Sequence, residues 1–146
     1  VNRNFEFDHV GIAVKSIAES EKFYKALGFS HGHEEIIARE KVKAKIFTLG
    51  NDSRVELLEP TSSDSVIAQF IEKRGQGIHH MCLRVKDIRK SLAELKCAGM
   101  RLVHETPFVG AENCLVAFVH PSSTGGVLIE LSEPQIEPEN ESQEEK

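Results

Sequence analysis

Apolar and polar side chains alternate from Phe7 to Val14, with Val10, Ile12 and Val14 on one side, which predicts a strand resting one face on a core. The apolar spacing then lengthens to a helical period over Ile17 to Leu27. Ser16 stands at the N-cap position, and Gly28 supplies the residue type best suited to a left-handed C-terminal turn. Three strand-like runs follow, at about 29–38, 43–49 and 53–59. The same series returns further on. A strand over Ile78 to Val85 carries Met81, Leu83 and Val85 on its apolar face, and a helix over Ile88 to Ala98 is capped by Asp87 and stopped by Gly99. Strand runs near 101–104, 114–120 and 126–132 complete it. Between the two series, Asp64 to Lys73 reads as a linking helix that ends before Gly75 and Gly77.

The recurrence is visible in the residues themselves. Sliding the chain by 71 positions lays FDHVGIAVKSIAESEKFYKALGF over IHHMCLRVKDIRKSLAELKCAGM without a gap, pairing His9 with His80, Ile17 with Ile88 and Gly28 with Gly99. At an offset of 74, VELLEP lies over IELSEP and pairs Glu56 with Glu130. Two matched blocks in one order indicate a duplicated βαβββ module. The half-repeats span about 6–60 and 77–133, joined by the helix at about 64–73, in one domain over residues 1–133.

Composition narrows the class. With 40% hydrophobic and 28% charged residues over 146 positions, the chain has the balance of a globular soluble domain. The net charge of -5 is concentrated: Glu133 to Lys146 holds six glutamates and one lysine, so the body carries equal numbers of each sign. Residues 134–146 therefore read as a flexible acidic tail, and the body has no basic stripe for nucleic acid. No apolar run approaches the ~20 residues of a membrane span. The N-terminus has neither an apolar signal core nor an arginine-rich transit segment, so the reading is cytoplasmic, or mitochondrial matrix for a matured eukaryotic chain. Cys82, Cys97 and Cys114 lack close pairing and read as reduced packing residues.

The repeat gives four polar residues a shared meaning. His9 lies on the strand face opposite Val10, Ile12 and Val14, beside Gly11 and Ala13, which leave room around it. His80 stands in the same relation to Cys82, and Glu56 and Glu130 each sit between apolar neighbours. Alone, each reads as an ordinary hydrogen-bonded or solvated residue. As duplicated His/Glu pairs packed about a pseudo-twofold axis, they would converge on one divalent ion. Imidazole and carboxylate together suit Zn, Co, Ni, Fe or Mn. The alternation turns His79 to the opposite face, as a structural or supporting residue, and His31, His33, His104 and His120 read as surface or turn residues.

The motifs DHVGIAV (8–14), FYKALGF (23–29), RVELLEPTSSDSVIAQFIEKRGQGIHHMCLRV (54–85), FVGAE (108–112), VAFVHP (116–121) and STGGVLIEL (123–131) resemble the vicinal oxygen chelate, or glyoxalase/bleomycin resistance/dioxygenase, superfamily. Within it they are similar to the methylmalonyl-CoA epimerases, from about Phe7 to Glu133. The resemblance implies an α+β fold whose two βαβββ modules form a curved eight-stranded mixed sheet around one metal held by His9, Glu56, His80 and Glu130. Cobalt is the expected ion, with nickel, manganese or zinc as alternatives. The implied activity, part of propionate metabolism, interconverts (R)- and (S)-methylmalonyl-CoA by 1,1-proton transfer through a metal-stabilised enolate. Its implied partners are an acyl-CoA substrate and a second copy in a homodimer, with no nucleic acid or membrane.

Glu130 is the first choice for a base. Some epimerases carry a further glutamate aligning near Ala44, where this chain has none, which leaves Glu56 as ligand and second base together. Many members have His-Gly after the GA of FVGAE and Lys after HP. Here those positions are Glu112, Asn113 and Ser122, with Ser122, Ser123, Thr124 and Gly125 as donors near the substrate or as plain turn residues. For the anionic CoA, Lys41, Lys43 and Lys45 read as a solvated strand face, and Arg84 shares the His80 face. A glyoxalase I-like lactoylglutathione lyase uses a similar metal set and stays open as an alternative, although HPSSTGGVLIEL differs from the DPDGY segment usual there. A small-ligand-binding member without turnover also stays open.

Overall fold

The computed structural model describes residues 4–29 and 31–136. In chain order the elements are β1 (Phe5–Ala13), α1 (Ile17–Ala26), β2 (His33–Ile37), β3 (Val42–Thr48), β4 (Arg54–Pro60) and α2 (Val66–Arg74). The second half follows with β5 (Gly77–Val85), α3 (Ile88–Cys97), β6 (Phe108–Val109), β7 (Cys114–Val119) and β8 (Ile129–Pro134). The strands form one curled sheet ordered β2-β3-β4-β1-β5-β8-β7-β6. Its centre carries the duplication: β1 and β5 pair antiparallel, and each is flanked by the last strand of its own module in parallel, β4 beside β1 and β8 beside β5. The expected α+β architecture of two βαβββ modules is the one observed.

The outer face of the sheet carries α1 and α3. Ile17 and Tyr24 of α1 pack with Ile12, Val14, Phe47 and Leu57, while Ile88 and Leu92 of α3 pack with Val85, Ala117, Val119 and Leu131. Ser16 and Asp87 cap these helices through the amides of Glu19 and Lys90, and Gly28 and Gly99 leave them at φ 97° and 80°. Part of the inner face is closed by α2, whose Ile67 sits on Ala13, Val42, Ala44 and Leu58. Its start is fixed by the buried Ser65, whose hydroxyl accepts from the Ala68 amide at 2.9 Å. The rest of that face is left as a cavity.

Differences from the expected elements have local causes. The run at 101–104 is no strand: Leu102 makes one bridge to Val119, and the amides of Val103 and His104 both donate to the Phe118 carbonyl. Phe118 in turn donates its own amide to the His104 ring, so a side chain takes the place of the next ladder bond. Pairing resumes only at β6, after Pro107. β8 runs on through Pro134, one residue into the segment read as tail; residues 137–146 of that tail lie outside the described residues. Cys82 and Cys114 are buried, whereas Cys97 is exposed on α3, and all three are free. Among the described residues no helix is long and apolar enough to cross a membrane.

Candidate metal centre

The four strands at the centre of the sheet each bring one of the four repeat-paired residues to the inner face. In sheet order these are Glu56 from β4, His9 from β1, His80 from β5 and Glu130 from β8, all buried. The ring nitrogens His9 Nε2 and His80 Nε2 lie 3.1 Å apart. Glu56 Oε2 is 2.8 Å from His9 Nε2, and Glu130 Oε2 is 2.9 Å from His80 Nε2 and 3.4 Å from His9 Nε2. Donor atoms bonded to one ion at ~2.1 Å and at right angles stand ~3.0 Å apart. The four observed separations, 2.8–3.4 Å, are close to such an edge, and the four residues expected from the repeat lie together on the inner face.

The electrostatics point the same way. Burial works against charge on Glu130, but hydrogen bonds from His80 and His9 outweigh it and hold the carboxyl below its ordinary range. Burial likewise opposes charge on His9, yet its contacts with Asp8, Cys82, Glu130 and Glu56 raise its affinity for a proton well above the usual value. Two buried carboxylates facing two imidazoles thus demand positive charge, which a divalent cation supplies without leaving any group unpaired. A second cluster, Asp8, His9 and Cys82, lies on the other side of the His9 ring. It suits a cation poorly, because burial pushes the Cys82 thiol up to about 12 and Asp8 is already taken by Arg54 Nη2 at 2.7 Å.

Two β-bulges shape the site. Register shifts on β1 and β5 fall between Phe7 and His9, and opposite Gly11 and Ile12, so Asp8 and His79 are each an extra residue in the pairing. A bulge re-aims a side chain that strict alternation sends to the other face. His79 accordingly turns to the inner face, against the alternation reading. Its Nδ1 lies 2.9 Å from His80 Nδ1 and its ring meets Phe70 edge-on. Burial and the neighbouring His80 push it down to about 4, so it is a neutral imidazole at ordinary pH. Asp8, which occupies the equivalent place in the first half, accepts from His9 Nδ1 at 2.6 Å.

Gly11 explains how two imidazoles fit. It is the cross-strand partner of His80, and a Cβ there would lie 2.2 Å from His80 Cε1. The room left by the small residue serves the histidine of the other half rather than His9.

Glu56, His80 and Glu130 line a cavity of about 400 Å³. Its apolar wall includes Leu58, Val116, Phe118 and Leu128, and its mouth holds Arg39, whose guanidinium stacks 4.2 Å over the Phe108 ring. Glu40, in the β2–β3 turn, is a further carboxylate lining it, and was missed by reading elements alone. Burial and the charges of Glu130 and Glu56 push Glu40 up to about 7. Ala44 is fully buried in the core beneath α2 and does not itself line the cavity. His104 also lines the cavity and packs on Phe108, rather than standing free on the surface.

Several residues considered for substrate contact point elsewhere. Glu112 pairs with Arg54, and Gly110 and Ala111 form the cavity wall in their loop. Ser122 bonds to the His120 ring, Ser123 accepts from the Arg101 amide, and Thr124 donates to the Val127 carbonyl, so these side chains are engaged within the turn and with Arg101. Lys43 and Lys45 pair with Glu34, and Lys45 also with Glu21 of α1 on the outer face. Lys41 lines the cavity but pairs with Asp64, and Arg84 pairs with Glu6 at 2.7 Å.

Comparison with known proteins agrees with this architecture. Residues 8–118 match the Glyoxalase/Bleomycin resistance protein/Dioxygenase superfamily model. The chain is 38% identical over 128 residues to a mitochondrial methylmalonyl-CoA epimerase of Bos taurus, covering 86% of this chain and 73% of the relative. The crystal structure of a methylmalonyl-CoA epimerase from Mycobacterium tuberculosis superposes with a TM-score of 0.84 at 39% identity, over 89% of this chain and 88% of that one. A methylmalonyl-CoA epimerase in complex with methylmalonyl-CoA and NH4+ gives a TM-score of 0.81 at 30% identity, over 88% and 93%.

Proposed function

The chain belongs to the Glyoxalase/Bleomycin resistance protein/Dioxygenase superfamily, and on that premise we propose that it is a metal-dependent epimerase that interconverts (R)- and (S)-methylmalonyl-CoA. The observation that carries this is the clustering of His9, Glu56, His80 and Glu130 beside a cavity that Glu56, His80 and Glu130 line together with Glu40. These four are the proposed ligands of one divalent ion, with cobalt favoured. When bound, the ion serves as a Lewis acid for a thioester carbonyl, a contribution of several kcal/mol toward acidifying C2.

The chain's own residues then have to move a proton. Inversion requires its removal from one face of C2 and its return on the other. Glu130 enters the cavity from the second half, and Glu40 from the β2–β3 turn of the first. Their environments drive them apart: Glu130 is kept ionised by the two imidazoles, while Glu40 sits near neutrality and exchanges readily between acid and base. We assign Glu130 as one acid-base residue and Glu40 as the other, with Glu56 as a ligand relieved of the second base's role. The apolar wall of Leu58, Val116 and Phe118 suits a methyl substituent and excludes water, and Arg39 at the mouth is the cation available to an anionic CoA. Assembly as a homodimer belongs to the same reading.

The test is isotope exchange. In deuterated water, cobalt-loaded protein should wash the C2 hydrogen out of methylmalonyl-CoA, and Glu130→Ala should abolish the exchange. Running the hemithioacetal of methylglyoxal and glutathione in parallel separates the glyoxalase alternative. Turnover of that compound with no exchange at C2 would overturn the epimerase reading.

A further inference from the structure

We propose that Asp8, Arg54 and Glu112 form a positioning chain that fixes His9 in the tautomer and orientation that present its Nε2 to a divalent cation, coupling the loop at Glu112 to the cation affinity of the site. The inference rests on the metal reading above and concerns residues outside the four ligands.

An imidazole can ligate only through a nitrogen that carries no proton, so the tautomer decides which side of the ring is available. His9 Nδ1 donates to Asp8 Oδ2 at 2.6 Å, which holds that proton on Nδ1 and leaves Nε2, the nitrogen facing Glu56, His80 and Glu130, as the one to give up its proton to a cation. A carboxylate behind a ligand histidine is the common device for orienting the ring and raising its basicity. Here the bulge at Asp8 makes the contact available, since regular alternation would turn Asp8 to the outer face beside Val10.

A buried carboxylate needs a countercharge of its own. Asp8 is buried, and Arg54 Nη2 reaches the same Oδ2 from the neighbouring strand at 2.7 Å, with Arg84 Nη1 3.8 Å from the other oxygen. Arg54 is in turn held by Glu112, which its Nη1 contacts. Glu112 adopts φ 53°, a left-handed backbone uncommon outside glycine, and its amide donates to Glu35 Oε2 of β2 at 3.0 Å. The strained turn is thus tied down on both its backbone and its side chain. The result is a row of alternating charge from the sheet's edge to the ring of a metal ligand. The second half has no such row: the position equivalent to Asp8 is His79, an imidazole against His80.

The experiment measures the dissociation constant of Co2+ from metal-free full-length protein by competition with a chromophoric chelator. Asp8→Asn should weaken binding by about 10–100-fold. Arg54→Ala should weaken it less and Glu112→Gln less again, while Arg54→Lys restores part of the loss. Combining Asp8→Asn with Arg54→Ala should add little to Asp8→Asn alone, because Arg54 acts through Asp8. In zinc-loaded wild type, nitrogen-15 spectra should show the His9 proton on Nδ1, and Asp8→Asn should shift or remove that signal. If the variants lower the unfolding midpoint while Co2+ affinity and the His9 tautomer stay as in wild type, the contacts are structural and the proposal is overturned. Glu112→Gln changes a partly exposed residue and keeps the test available should Asp8→Asn fail to fold. Wild-type protein that binds no Co2+ overturns the metal reading and this one together; wild-type binding with unchanged variants overturns this one alone.

Discussion

Replacing Gly11 by alanine adds one methyl group at the point where the two half-repeats meet. The new Cβ would stand 2.2 Å from His80 Cε1, 2.5 Å from Nδ1 and 2.7 Å from Nε2, against an ordinary contact beginning at 3.4 Å. The ring must therefore withdraw by roughly 1.2 Å, the difference between 3.4 and 2.2 Å. Free lateral movement is blocked, because the edges of His79 and Phe118 pack on the ring at 5.2 and 5.6 Å between centroids. Metal-ligand bonds tolerate departures of only ~0.2 Å, so a displacement of that size removes His80 from the coordination set. The loss should be at least the ~100-fold that removal of an outer-shell partner can cause, or ~2.7 kcal/mol. Overpacking adds a stability penalty of ~1–3 kcal/mol. The assay is Co2+ competition on metal-free wild type and Gly11→Ala, with urea unfolding to confirm that the variant is folded. Gly77→Ala, on a neighbouring strand where a Cβ meets nothing within 4 Å, is the control and should keep wild-type affinity. A Gly11→Ala dissociation constant within about threefold of wild type would refute the placement of His80 over Gly11, and with it the ligand geometry.

Two further outcomes follow from the same structure. Burial and the charges of Glu130 and Glu56 raise Glu40 from an ordinary 4.5 to about 7, so the folded metal-free protein binds the extra proton more tightly than the unfolded chain. Its contribution to stability is complete below about pH 4.5 and is lost as pH rises through about 7; Glu40→Gln should remove that slope, and parallel urea titrations across this window would show no difference in slope if the assignment is wrong. Ser65→Ala deletes the buried cap of α2 and should cost ~1 kcal/mol of unfolding free energy, measured by urea denaturation; a change too small to resolve would mean that the Ala68 amide finds another acceptor.

The module order and the four converging residues were legible because each depends on a local period or on the repeat. Ser16, Gly28, Asp87 and Gly99 mark helix ends by their own chemistry, and the offsets of 71 and 74 pair His9 with His80 and Glu56 with Glu130. The signal for Asp8 was present and went unread: the offset of 71 lays Asp8 over His79, a polar residue beside the histidine in both halves where alternation leaves no use for one. Reading elements one at a time hid Glu40, since a turn residue has no period and its carboxylate gains significance only when the β2–β3 turn reaches the cavity.

Sequence alone determined which faces are apolar and where helices stop, because those properties are carried by neighbours within a few residues, and it determined that the chain is built from duplicated halves, because the offsets of 71 and 74 are written in the residues themselves. Tertiary structure decided the rest. Two bulges, which exist only in the pairing of β1 with β5, turned Asp8 and His79 inward. The close approach of the two halves made Gly11 the seat of His80, and the curl of the sheet brought Glu40 and Arg39 over the cavity. Each depends on register and curvature between strands distant in sequence, quantities that no local pattern of side chains encodes.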